Sequence, residues 1–436
     1  MLQLAAPLAL AELGWMAMGI VDTIMAGRLG PAALGAGSLG NMIFYPTVVG
    51  ATGLLLGMDT LVAQAFGAND RMDTRRTLVN GSWLALGLSP VLAGVILALI
   101  PVLRAAGVNP RVMVDLIPYM KALMWGIPGL LLYTAFRRYL QAVNIVKPVT
   151  FALISANLVN VLGNWILIFG HWGAPRLGLP GSGLATSISR TYMASVLLAA
   201  ILWHERKTGN LLFSVPHRPD FRRIRHLISL GLPASGQMMF EGAMFGVVTV
   251  LAARLDEVSL AAHSIAVQVI ATTFMVPLGI SSAAAVRVGQ AVGRKDPHGV
   301  AAAGWTALAL SGIFMGSAGI LLWTAPAWLV SLFIRDSAVI ATGATLLRIA
   351  AFFELFDGFQ IVATGALRGV GDTRTPMLAH LAGYWLIGLP VVYALCYPLH
   401  WGVSGIWVGL TTALILIGAG LVLVWHHRAS RLRRSI

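Results

Sequence analysis

The chain has 436 residues, 58% of them apolar and only 11% charged, with a mean hydropathy of +0.81. A soluble protein of this length needs far more charge on its surface, so a water-soluble enzyme or binding domain is excluded. The net charge of +14 would point to nucleic acid in a soluble chain, but its distribution here assigns it to membrane orientation instead.

Apolar runs long enough to cross a bilayer as helices, about 20 residues each, recur from end to end. Twelve are expected: Leu4–Arg28, Leu34–Val62, Thr77–Leu103, Val112–Gln141, Val149–Phe169, Leu184–Trp203, then 226–252, 259–286, 298–324, 338–367, 375–398 and 402–425. The first begins almost at Met1 and reads as a span, with no cleavable leader evident. Pro46 is expected to kink the second, because proline removes a helical hydrogen bond. The polar stretch 205–225 is expected to be a cytoplasmic linker between an N-terminal six-helix lobe (1–204) and a C-terminal one (226–436).

The two halves are copies. A shift of 226 residues places Pro7 on Pro233, Ala26 on Ala252, Arg28 on Arg254 and Ser38 on Ser264. The same register still pairs Gln64–Ala65 with Gln290–Ala291, Gly67 with Gly293 and Asp70 with Asp296. Six spans per copy make both enter the membrane from the same side, a parallel repeat of the kind found in transporters with a site between halves. Loops after even-numbered spans, with the C-terminal tail, hold 21 of the 30 basic residues; the opposite loops hold six. By the positive-inside rule both termini are expected in the cytoplasm, with the chain in the inner membrane.

An ionised carboxylate within hydrocarbon costs about 2.5–3.5 kcal/mol on insertion scales, so each intramembrane acid needs a partner, water or a proton. Asp22 in the first span is one. In the fifth span Asn157, Asn160 and Asn164 share a helical face, and Thr186 opens the sixth. A carboxylate with amide and hydroxyl oxygens suits Na⁺, and the same set could hold a protonated Asp22. Equally, the asparagines could simply join helices. In the second half Glu241 lies mid-span, and Glu354 and Asp357 sit at i, i+3 on the tenth span. Converging acids in a low-dielectric space titrate as a set and can exchange a proton or accept a cation. The competing expectation is that each acid pairs with Arg190, Arg348 or Lys121. Asp59 is expected to cap its helix or to pair locally with Arg75 or Arg76, and Glu12 has no assignment.

Histidines form no HxxH or HExxH set, and the single cysteine, Cys396, allows no disulfide, so a metal-dependent membrane enzyme has no support. No phosphate-binding GxxxxGK[ST] loop is present, so any pumping is expected to run on an ion gradient.

VDTIMAGRLG in span 1, MDTLVAQAFGA after span 2, NLVNVLGNWI in span 5, MMFEGAMF in span 7, VRVGQAVG after span 8 and LFDGFQ in span 10 together resemble the multidrug and toxic compound extrusion (MATE) family. The likeness covers both halves and is nearest to the NorM-like branch, with features of the eukaryotic members. It implies a twelve-helix all-α membrane antiporter that expels organic cations in exchange for Na⁺ or H⁺, without a bound cofactor. It matches Asp22, Asn160, Asn164 and Thr186 to a cation site in the first lobe, and Glu241 and Asp357 to acids of the second. Two positions depart: a tyrosine frequent four residues before the helix-10 acid is Phe353, and a glutamine of helix 8 is Ser264. Loss of that tyrosine oxygen favours H⁺ over Na⁺ in the second lobe.

These residues imply alternating access about a central cavity, with a partly aromatic cation held among Phe240, Glu241, Phe353 and Asp357. Pro7 is expected to let span 1 bend when Asp22 changes charge. Lipid is the expected surroundings, nucleic acid is not a partner, and a monomer is expected. A flippase for lipid-linked oligosaccharide could share the architecture, but its pyrophosphate cargo would require cavity-facing arginines. A major-facilitator transporter would leave the asparagine stripe unexplained.

Overall fold

The computed structural model describes residues 1–105, 107–209 and 214–434; part of the expected linker, 210–213, lies outside them. Among the described residues there are helices and no strands. Among the described residues eleven helices are long and apolar enough to span a bilayer, twelve with one bent pair counted as a single span. They are α1 (Leu2–Gly27), α2 (Pro31–Gly67), α3 (Arg71–Ala105), α4 (Pro110–Met124 continued by Ile127–Ala142), α5 (Lys147–Phe169) and α6 (Leu179–Lys207). The second half supplies α7 (Phe221–Ala253), α8 (Glu257–Gly293), α9 (Pro297–Thr324), α10 (Ser337–Gly369), α11 (Arg374–Cys396) and α12 (Gly402–Arg434). The chain is a multi-pass, all-α membrane protein.

Proline and glycine explain where the helices break. The two parts of α4 meet at 42°, where Pro128 follows Gly126 and its ring opposes the carbonyl of Met124. The kink expected at Pro46 is not a break in the helix: α2 runs through Pro46 and is interrupted at Leu56. Helix α6 starts at Leu179, five residues before the expected Leu184, with Pro180 in its first turn. Gly181, Ser182 and Gly183 are therefore helical. A Cβ at Gly181 would meet the backbone of Leu167, so the small residues serve close packing of α6 on α5.

The repeat reappears in the backbone. Asn69 (φ 59°) and Lys295 (φ 55°) occupy corresponding left-handed positions at the ends of α2 and α8. The next residues, Asp70 and Asp296, each accept a backbone N–H three residues on, from Asp73 and Gly299, both at 2.8 Å. The residues that match across the halves thus include those that end one helix and start the next.

The chain divides into two compact units: Leu10–Ser235, and Met1–Ala9 with Gly236–Ile436. In the first, buried ion pairs join helices that lie far apart in sequence. Arg75 Nε donates to Glu205 Oε2 at 2.7 Å, with both side chains buried. Glu12, unassigned above, accepts from Arg137 Nη2. Asp59 pairs with Arg138 at 3.5 Å rather than with Arg75 or Arg76, because Arg75 is committed to Glu205.

The same unit includes the first half of α7, which lies against α2 with almost no side chain between them. A Cβ at Gly231 would strike the Leu54 carbonyl, and one at Gly57 would strike that of Leu227. Gly231→Val is therefore expected to force these helices apart at a cost of about 1–3 kcal/mol. Thermal unfolding in detergent should show a lowered midpoint; an unchanged midpoint would contradict this packing.

Candidate cation-coupling sites

In the Leu10–Ser235 unit, three helices meet at Asp22. Asn160 and Asn164 are four residues apart on α5 and stack on one face, Asn164 Nδ2 donating to Asn160 Oδ1 at 3.1 Å. Asn164 Nδ2 also donates to Asp22 Oδ1 at 2.7 Å. The Thr186 hydroxyl lies 3.0 Å from Asp22 Oδ2 and 3.0 Å from the Ser182 carbonyl, and accepts from Asn160 Nδ2 at 3.5 Å. Its one proton serves one acceptor at a time. Asp22, Asn160, Asn164 and Thr186 therefore form one network.

Asn157 does not join it. Its amide donates to the Gly14 carbonyl at 3.1 Å and the Leu153 carbonyl at 2.9 Å, so it ties α5 to α1 as polar residues do in helix bundles. Beside the network a small cleft is lined by Asp22, Ser38, Asn41, Tyr119 and Ser182.

The donor set fits a small hard cation. Carboxylate, amide and hydroxyl oxygens are what Na⁺ takes from proteins, and Asn164 Oδ1 is buried with no hydrogen-bond partner among the described residues. The same orphan acceptor, with rotation of the amide, would serve a protonated Asp22.

In the unit containing Gly236–Ile436, the acids of α7 and α10 are bridged by an amide. Gln360 Nε2 donates to Glu241 Oε1 at 3.0 Å and to Asp357 Oδ1 at 3.1 Å, one hydrogen for each carboxylate. Gln237, one turn before Glu241, donates to its Oε2 at 3.2 Å. On α11, His380 Nδ1 lies 2.8 Å from the Pro376 carbonyl and so carries a proton there. Its Nε2 faces Gln237 Nε2 at 3.3 Å and Glu241 Oε2 at 3.9 Å. His380 is followed by a π-helical stretch, Leu381–Gly388, a rare conformation that recurs at functional sites.

Glu354 stands apart from this bridge. It accepts from the Thr273 hydroxyl of α8, and its Oε2 is buried without a partner among the described residues. Of the two aromatic residues expected to face substrate, Phe240 is half-buried and its carbonyl accepts from Trp385 Nε1 at 3.1 Å. Phe353 is the correction. It is fully buried, its ring stacked 6.1 Å from that of Trp407, so it presents no surface to a ligand here.

Among the described residues, none of Asp22, Glu241, Glu354 and Asp357 forms an ion pair with arginine or lysine. The expected pairing with Arg190, Arg348 or Lys121 is not what the structure holds. Neutral amides and hydroxyls supply the hydrogen bonds these acids receive. Sequence reasoning did not single out Gln360 or Gln237. Their signal was present: a glutamine three residues after Asp357 and another four before Glu241, each on its acid's face of the helix.

The profile of the MatE family matches residues 7–166 and again 233–394, once in each copy of the repeat. The chain is 37% identical to a probable multidrug resistance protein NorM of Mesorhizobium japonicum, over 98% of this chain and 93% of that one. It is 38% identical to a protein of the same description from Rhodopseudomonas palustris, over 99% and 91%. In fold it is similar to the crystal structure of the eukaryotic MATE transporter AtDTX14, with TM-score 0.87 and 19% identity over 100% of this chain and 97% of that one. An outward-facing multidrug resistance MATE transporter matches with TM-score 0.88 and 17% identity, over 99% and 96%. The chain belongs to the MATE family, whose members are membrane transporters and not enzymes.

Proposed function

We propose that this protein is a multidrug efflux antiporter that moves organic cations out of the cytoplasm in exchange for Na⁺ or H⁺ by alternating access. One observation carries the reading: intramembrane acids in each unit, half-buried Asp22 in one and Glu241 with buried Asp357 in the other, are held by neutral amides and hydroxyls, with no lysine or arginine paired to them among the described residues. Such a site attracts an organic cation when ionised and releases it when a proton or Na⁺ takes the charge. Ligand and coupling ion then bias one two-state equilibrium in opposite directions, and linkage makes the effect reciprocal.

The excess of basic residues in the even loops supports cytoplasmic termini in a bacterial inner membrane. The relatives' description as multidrug resistance proteins supports the substrate class. A pyrophosphate-linked lipid would meet carboxylates at the Gln360 bridge, so the flippase reading has no observation in its favour.

Reconstituted vesicles loaded with a cationic dye, given Na⁺ and H⁺ gradients separately, test this. At least one inwardly directed ion gradient is expected to accelerate dye exit. Equal exit with and without both gradients would overturn the antiport reading.

A further inference from the structure

Among the described residues of the Leu10–Ser235 unit, the buried Arg75 and Arg137 have carboxylate partners, and buried Arg190 has none. Arg190 on α6 is only 8% exposed, and its Nε and Nη1 are buried without a hydrogen-bond partner among the described residues. Its Cζ sits 4.7 Å above the centre of the Phe44 ring of α2, a contact that tolerates a guanidinium but satisfies none of its N–H donors. A charge in this state within a membrane span is expensive and marks a functional residue whose partner should be named.

The titratable groups facing Arg190 are Tyr119 on α4 and Asp22 on α1. Tyr119 already donates to Asn41 Oδ1 at 3.2 Å. Asp22 is held by Asn164 and Thr186, outside ion-pair reach of the guanidinium. The spacing links them. Thr186 and Arg190 are four residues apart on one face of α6, and helical side chains lean towards the N-terminus. Arg190 therefore leans towards the hydroxyl that holds Asp22, within about one helical turn, 6 Å of rise.

We infer that Arg190 is the internal counter-ion of Asp22, competing with the coupling cation for the carboxylate. With the cation bound, Asp22 rests on Asn164 and Thr186 and Arg190 waits on Phe44. When the cation leaves, the carboxylate turns to the guanidinium and accepts from its Nε–H and Nη1–H, the buried donors that have no acceptor now. This rests on the antiport reading and adds to it a built-in cation that lowers affinity for the mobile one and speeds its release.

The test is the ion dependence of dye exit from vesicles, for whichever ion the wild type uses, with Arg190→Gln and Arg190→Lys. For Arg190→Gln, half-activation is expected at a cation concentration lower by about tenfold, within the usual range of coupling between sites, with a lower maximal rate. Arg190→Lys keeps the charge and is expected to stay near the wild-type half-activation. An unchanged half-activation in Arg190→Gln overturns the counter-ion role while leaving antiport by the wild type standing. Should Arg190→Gln not fold, Arg190→Gln with Asp22→Asn decides the matter: recovery of folding supports the pairing, and continued failure makes Arg190 a packing residue of the Phe44 contact.

Discussion

Glu241→Gln is expected to reduce gradient-driven export of a cationic dye by at least about tenfold, from the range of coupling free energies between linked ligands. The substitution keeps size and lets the side-chain carbonyl accept from Gln360, so the fold should persist. It removes one of the two charges that the Gln360 amide holds together, and places an amide donor against Gln237, itself a donor to the native carboxylate. Asp357→Asn should behave similarly. Glu354→Gln should cost less, because Glu354 is held by Thr273 and lies outside the Gln360 bridge. Dye efflux from vesicles containing each variant checks the ranking. A larger loss from Glu354→Gln than from Glu241→Gln would contradict the arrangement described here.

Arg75→Met is expected to have the largest effect on stability. Arg75 and Glu205 join α3 to the end of α6 with side chains 4% and 1% exposed. Arg75 also donates to the Arg71 carbonyl at 2.7 Å, and Tyr139 OH lies 3.3 Å from Glu205 Oε1. Deleting the cation leaves a buried carboxylate without its charge partner, and breaking a buried pair costs about 3–5 kcal/mol. The double variant Arg75→Met with Glu205→Gln should recover most of the loss, since no orphan charge remains. Thermal unfolding in detergent measures both; equal destabilisation by the single and double variants would show that the pair itself contributes little.

Membrane architecture was legible because it is a one-dimensional property. Run length, breakers and the asymmetry of basic residues need no knowledge of packing, and the twelve spans follow from them. The repeat was legible for a related reason: its matching residues include those that terminate helices, such as Asp70 and Asp296. The first-unit site was half legible. Helical spacing aligned Asn157, Asn160 and Asn164, but only packing separates Asn160 and Asn164, which reach the Asp22 network, from Asn157, which binds the α1 backbone.

Partner choice across helices was not legible. Asp59 has arginines nearby in sequence yet meets Arg138, 79 positions away, because chain proximity along neighbouring spans says little about which faces meet. Phe353 was misplaced for the same reason: its neighbour in sequence is a polar acid, but its own direction on α10 is towards Trp407 in the packed interior. Gln360 could have been found by asking which neutral donors share a face with each acid, since a buried carboxylate without a cation must obtain its hydrogen bonds from amides or hydroxyls.

The account depends on the buried acids being shared in turn by an organic cation and a small inorganic one. Equilibrium binding of a cationic dye to the purified protein in nanodiscs, titrated separately with H⁺ and with Na⁺, tests that sharing without a membrane gradient. Dye affinity should fall as the coupling ion rises, and that dependence should vanish in the Glu241→Gln, Asp357→Asn double variant. Dye bound with the same affinity at every proton and sodium concentration would contradict it.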